Sequence, residues 1–169
     1  MTFKKSGLPS NPEPSPSPNP DPPAYITTEG MQRPILRQLQ LKGGLKAGGV
    51  GLVVGAGGTA RAACYAVRDM GLRLVVVNRS VEKGKEIADR FGGVFVPHLS
   101  EESLSWLSTE LQLPDFASHI DVIISTVPLQ ANFTVPPALL KEKPVVLDVV
   151  YKPAKTPLIQ QVQLFVLDF

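Results

Sequence analysis

The sequence predicts an α/β fold in which a parallel sheet carries helices on both faces. Three observations lead there. Short apolar runs alternate with helix-compatible stretches along most of the chain. Those runs are continuous Val/Ile/Leu rather than alternating, as strands covered on both faces require. The first run, Val50–Val54, feeds directly into Gly55-x-Gly57-x-x-Ala60 and a helical stretch. That strand–turn–helix order is the fingerprint of a Rossmann-like, dinucleotide-binding sheet. Gly55 makes the tight turn, Gly57 lets backbone approach a pyrophosphate, and small Ala60 lets helix and strand pack.

The elements are expected in this order. Residues 1–24 hold eight prolines between Pro9 and Pro23 and little to bury, which predicts a disordered Pro-rich tail. Residues 25–46 read as a linker helix, the remnant of an interdomain hinge. There Ile35, Leu36 and Leu39 share a face, Pro34 stands in the first turn and Gly43-Gly44 ends the helix. Residues 47–169 form the Rossmann-like domain, with strands expected at 50–54, 72–77, 93–96, 121–125 and 145–150. Helices are expected over 58–70, 80–91 and 101–113, briefly near 137–141, and from Thr156-Pro157 onward. Trp106 with Leu104 and Leu107 reads as a packing face, and Glu101-Glu102 as a solvated helix start.

Bulk properties narrow the class. At 169 residues and 43% hydrophobic content the chain fits one domain with appendages. A net charge of +2 with no basic stripe argues against a nucleic-acid partner. No apolar run approaches the roughly 20 residues that cross a bilayer, and no apolar segment follows Lys4-Lys5 as a signal peptide would need. The one cysteine, Cys64, reads as a buried thiol in a reducing, cytoplasmic setting. His98 and His119 lack metal-ligand spacing with it and read as loop or surface histidines.

The second strand ends at Val77, and Asn78-Arg79-Ser80 follows where NAD-binding domains usually present an acid to the ribose 2′-hydroxyl. With Asn78 there, no carboxylate repels a 2′-phosphate. Arg79 offers a permanently charged planar fork, and Ser80 can cap the helix and donate its hydroxyl. Lys83, four residues past Arg79, can face the same anion. The expected cofactor is therefore NADP(H), bound by Gly55, Ala56, Gly57, Gly58, Thr59, Ala60, Asn78, Arg79, Ser80 and Lys83. Ligands of open α/β sheets lie at the strands' carboxyl ends. That adds Ser125, Thr126 and Val127 after the fourth strand, the nicotinamide ribose lying against Thr126 and Val127, and Val149 after the fifth. Tyr151 reads either as a phenol aimed at a polar substrate or as a core-edge residue, and Asp148 as a site residue or a loop cap.

Taken together, Gly55-Ala-Gly-Gly-Thr-Ala-Arg61, Asn78-Arg-Ser80 with Lys83, Ser125-Thr-Val-Pro128 and Leu147-Asp-Val-Val-Tyr-Lys-Pro-Ala-Lys-Thr-Pro-Leu158 resemble the C-terminal, NADP-binding half of shikimate dehydrogenases. The resemblance is closest to the shikimate dehydrogenase module of the multifunctional arom polypeptide and its quinate-pathway relatives. It implies reversible reduction of 3-dehydroshikimate to shikimate by NADPH, with a substrate contact at Tyr151. In that family a Lys and an Asp, mostly from a substrate domain, mediate proton transfer. Here a Pro-rich tail stands in that domain's place, and Thr27-Thr28-Glu29-Gly30 is the approximate counterpart of the Asp-bearing stretch, making Glu29 a remnant candidate. Residues 162–169 depart from the family pattern, which reads as a truncated or divergent end. Two functions stay in view: the cofactor-binding half of a shikimate/quinate dehydrogenase acting with a complementary substrate domain, or a non-catalytic nucleotide-binding module such as a quinate-pathway sensor.

Overall fold

Five apolar runs become five parallel strands hydrogen-bonded in the order β3-β2-β1-β4-β5. They are β1 (Val50–Val54), β2 (Arg73–Val77), β3 (Val94–Val96), β4 (Ile120–Ser125) and β5 (Val145–Asp148). The computed structural model describes residues 26–167, so the Pro-rich stretch expected to be disordered lies outside the described residues. Register aligns the carboxyl ends: Val54 pairs with Val77 and Ser125, Val77 with Val96, and Ser125 with Asp148. Winding runs outward from β1 through β2 to β3, then reverses to β4 and β5. The crevice at that reversal is where such sheets take ligands.

Helices α1 (Thr28–Leu41), α2 (Gly58–Asp69) and α3 (Val81–Phe91) cover one face, and α4 (Glu101–Glu110) and α5 (Pro157–Leu167) contribute to the other. Strand residues alternate between the two cores: Val53, Leu74 and Val76 pack with the first group, Val50, Leu52, Val54, Val75 and Val77 with the second. Near the middle of β1, a side-chain carbon on Gly51 would sit 2.5 Å from Val67 Cγ1, so the missing one lets α2 lie close on the sheet. Cys64 is fully buried in the first core, and burial pushes its thiol up to about 12.

Helix α1 corrects the expected linker helix in three ways. It begins at Thr28, capped by Thr27, whose hydroxyl oxygen accepts from the Gly30 N–H at 3.1 Å. Pro34 is therefore inside the helix, not in its first turn. The hydrogen bond its ring removes is offset by burial of Met31, Ile35 and Leu39, each no more than 3% exposed. That spacing of four selects the buried stripe, and Leu36, off it, is exposed. The helix is also tied to α2, with Thr28 Oγ1 donating to the Ala62 carbonyl and Gln32 Nε2 to Asp69 Oδ2 at 2.9 Å.

Smaller differences have local causes. Helix α4 starts in a Ser100–Ser103 capping box and stops at Glu110, ahead of a left-handed Gln112. Within it Leu107 is buried while Trp106 points outward, 46% exposed, contrary to the expected packing face. Strand β5 stops at Asp148 because that carboxylate turns the chain: Oδ1 accepts from the Val150 N–H at 3.1 Å and Oδ2 from the Thr156 hydroxyl at 2.7 Å. Asp148 is thus a loop cap, and Thr156 Oγ1 in turn accepts from the Ile159 N–H at the start of α5. Among the described residues no helix is long and apolar enough to cross a membrane, and no group of His, Cys, Asp and Glu could hold a metal ion.

Candidate functional site

The carboxyl edge of the sheet opens into a cleft of about 540 Å³ at the reversal point. Its floor is Val54 and the glycine turn Gly55-Ala56-Gly57; one side is Val77, Asn78 and Arg79, the other Thr126, Val127 and Pro128. A more open shoulder of about 580 Å³ shares Ala56, Gly57, Asn78 and Arg79 and adds Ser80 and Lys83. Among the described residues no carboxylate lines either space.

Two glycines of the turn differ in what surrounds them. Gly55 has φ +115°, and a side chain there would run into Thr126 Oγ1, so the fold itself demands glycine. Gly57 has an ordinary φ of −87°, and an added Cβ would meet nothing within 4 Å. The protein's own packing leaves that space open, directly ahead of the first turn of α2. Among the described residues no side chain caps this helix, so its leading N–H groups and the positive end of its dipole face the cleft. An open cradle at uncapped helix amides fits a pyrophosphate. Gly58 shares the exposed first turn, Thr59 is half-buried, and Ala60 is fully buried under the helix.

The shoulder carries the positive charge. Arg79 and Lys83 are both exposed, and neither has an ion-pair partner among the described residues. Asn78 Nδ2 donates to the Ser80 carbonyl at 2.9 Å, which fixes the turn. Ser80 stands at the N-cap of α3 but, contrary to expectation, makes no side-chain capping bond, so its hydroxyl is not spent on the helix. These donors fit a phosphate monoester better than a ribose diol.

The remaining expected residues divide. Thr126 lines the cleft, and its hydroxyl donates to the Val54 carbonyl at 2.7 Å, so it offers a ligand lone pairs only. Val127 is beside it. Ser125 is buried and borders a separate small pocket with Asp148 and Thr156. Val149 is half-buried against the α1–α3 core, its N–H bonded to the Ser125 carbonyl at 3.0 Å; neither it nor Ser125 lines the main cleft. Tyr151 is exposed and outside the cleft lining. Glu29 is exposed in the first turn of α1, paired with Arg33 at 2.6 Å.

Sequence reasoning missed two parts of the wall. Pro97, His98 and Leu99 line the cleft, because β3 pairs with β2 and ends level with it. His98 is indeed exposed, but toward the cleft, and the strand order could have revealed this. Ala131, Phe133 and Thr134 close the other side from a single 3-10 turn (Leu129–Ala131) and the loop after it, a stretch too short for a periodic signal.

The family profile "Shikimate / quinate 5-dehydrogenase" matches residues 39–131. The shikimate dehydrogenase (NADP(+)) of Archaeoglobus fulgidus is 35% identical over 122 residues, 68% of this chain and 41% of that protein. The chain thus spans about two fifths of the length of the curated relatives it matches. Shikimate 5-dehydrogenase of Thermus thermophilus, solved with NADP(H) and shikimate, superposes with a TM-score of 0.53 at 25% identity, covering 79% of this chain and 47% of that one. The Aquifex aeolicus shikimate dehydrogenase gives 0.55 at 25% identity, covering 82% and 47%.

Proposed function

This chain belongs to the shikimate/quinate 5-dehydrogenase family, and on that premise we propose that its cleft binds NADP(H) and supplies the cofactor-binding half of a shikimate dehydrogenase. The reaction is reduction of 3-dehydroshikimate to shikimate, with substrate groups coming from a complementary domain. One observation carries the reading: a corner without a carboxylate among the described residues, where Arg79, Ser80 and Lys83 surround open space beside the Gly57 cradle.

In this reading the amides at Gly57, Gly58 and Thr59 hold the pyrophosphate, and Arg79, Ser80 and Lys83 hold the 2′-phosphate. Thr126 accepts a ribose hydroxyl while Val127 and Val54 keep water from that part of the cleft. When bound, the dihydronicotinamide supplies the hydride. Tyr151, exposed beyond β5, is free to meet a polar substrate. Any proton-relay role for Glu29 requires it to release Arg33.

Calorimetry on the full chain tests the cofactor assignment. NADPH is expected to bind about 10- to 100-fold tighter than NADH, the contribution of charge-assisted hydrogen bonds to one phosphate. Equal affinities contradict it. Arg79→Ala should weaken NADPH and leave NADH nearly unchanged; an equal loss for both would assign Arg79 to folding. An activity assay tests the half-site reading. The chain alone should show no shikimate-dependent NADP+ reduction, and addition of a separately made substrate domain should restore it. Turnover by the chain alone overturns that part.

A further inference from the structure

The segment that closes the cleft opposite Arg79 is held at its far end by a side chain outside the site. After Thr126 is pinned to the Val54 carbonyl, the backbone bonds of residues 128–132 are local: Ala131 N–H to the Pro128 carbonyl at 2.9 Å and Asn132 N–H to that of Leu129 at 3.0 Å. Val135 is then gripped by Gln161 of α5. Gln161 Nε2 donates to the Val135 carbonyl at 2.6 Å, and the Val135 N–H donates to Gln161 Oε1 at 3.0 Å. Val135 is only 3% exposed, so without the amide both backbone groups would be buried unpaired. Phe133 and Thr134, immediately before it, line the cleft. Helix α5 is itself locked to the sheet by Thr156 on Asp148 and by buried Leu158.

We infer that Gln161 is a positioning residue: its amide, acting as a substitute peptide group for Val135, sets the Phe133–Thr134 wall and so couples α5 to dinucleotide affinity. The inference rests on the reading of this cleft as the NADP(H) site. A primary amide fits because it donates and accepts at once. A carboxylate of the same length accepts only and would set negative charge against the Val135 carbonyl; a protonated carboxyl restores both bonds.

The test is NADP+ titration calorimetry of the full chain and its Gln161→Glu and Gln161→Met variants, from pH 8 to about pH 4.5. Wild type is measured throughout to account for protonation of the ligand's own phosphate, and circular dichroism selects conditions where each protein is folded. At pH 8 both variants should bind about tenfold more weakly, a typical coupling between linked sites. Toward about pH 4.5, near the ordinary glutamic acid pKa of about 4.3, Gln161→Glu should converge on wild type while Gln161→Met stays weak. Two folded variants with wild-type affinity at pH 8 overturn the inference, and so does a Gln161→Glu deficit that ignores pH. Should neither variant fold, amide hydrogen exchange of wild type decides: the Val135 N–H must be slow and Phe133 slower still with NADP+, and a fast Val135 amide refutes the clamp. Wild type failing to bind NADP+ at all removes the cofactor reading and the coupling together, an outcome distinct from the variant results.

Discussion

At the amino edge of the sheet, charged side chains are answered by the backbone, whereas the cations beside the carboxyl-edge cleft face open space. Asp121, 4% exposed at the start of β4, accepts from the Lys46 N–H at 3.1 Å, and Lys46 Nζ donates to the Ser118 carbonyl at 2.8 Å. Arg73 donates to the carbonyls of Gly48 at 2.9 Å and Leu111 at 2.6 Å. Across the sheet, Arg79, Lys83 and the leading amides of α2 have no such engagement among the described residues. The same residue types therefore do different work: one set ties loops to strands, the other is available to a ligand. Substitutions at the two edges should separate stability from affinity.

The sharpest break lies within the glycine turn. Gly57→Val should reduce NADPH affinity by about 100-fold or more, since two or more charge-assisted bonds are lost, with thermal unfolding unchanged. Gly55→Ala should do the reverse, destabilising by about 2–4 kcal/mol through a forced φ and collision with Thr126. Urea unfolding and calorimetry on both proteins check the pair, and a Gly57→Val protein that binds normally would dissolve the distinction.

A smaller effect sharpens it from the other edge. Burial pushes the Asp121 carboxyl above its usual range, against the Lys46 amide and the charges of Lys46, Lys42 and His119. The folded state then holds that proton more tightly than the unfolded chain. Its contribution to stability is fullest below the unfolded value of about 3.9 and is lost as pH rises through the folded value. Asp121→Asn removes this slope while keeping an acceptor for Lys46. Its urea midpoint should gain on wild type as pH rises across that window, then level, with NADPH affinity unaltered. A difference flat in pH would mean the carboxyl is unperturbed.

Much of this architecture was legible because the informative residues are local. The run Val50–Val54 and its glycines fixed a strand, a turn and a helix within twenty residues, and Asn78-Arg79-Ser80 sits at the end of an equally plain strand. The sheet of five strands with helices on both faces follows the reading closely. What escaped depends on partners distant in sequence. Nothing near Pro34 says that it lies inside a helix; that follows from Met31, Ile35 and Leu39 finding the α2 face. His98 joins the cleft only through β2–β3 register, and Gln161 meets Val135 only because the chain returns through β5 into α5, a sequence separation of 26. Trp106 misled because its apolar surface suggested burial while the buried stripe ran through Leu107.

The bare α-carbon of Gly51 has a reach well past its own strand. It sets how low α2 rides over the sheet, and α2 carries the amides of Gly57, Gly58 and Thr59 at its tip. A single methyl inserted there would act as a wedge under a rigid rod, lifting Val67 and swinging the far end. On the proposed reading of the cleft, the coenzyme would register the change as a misaimed anion seat, although no atom of the pocket had been exchanged.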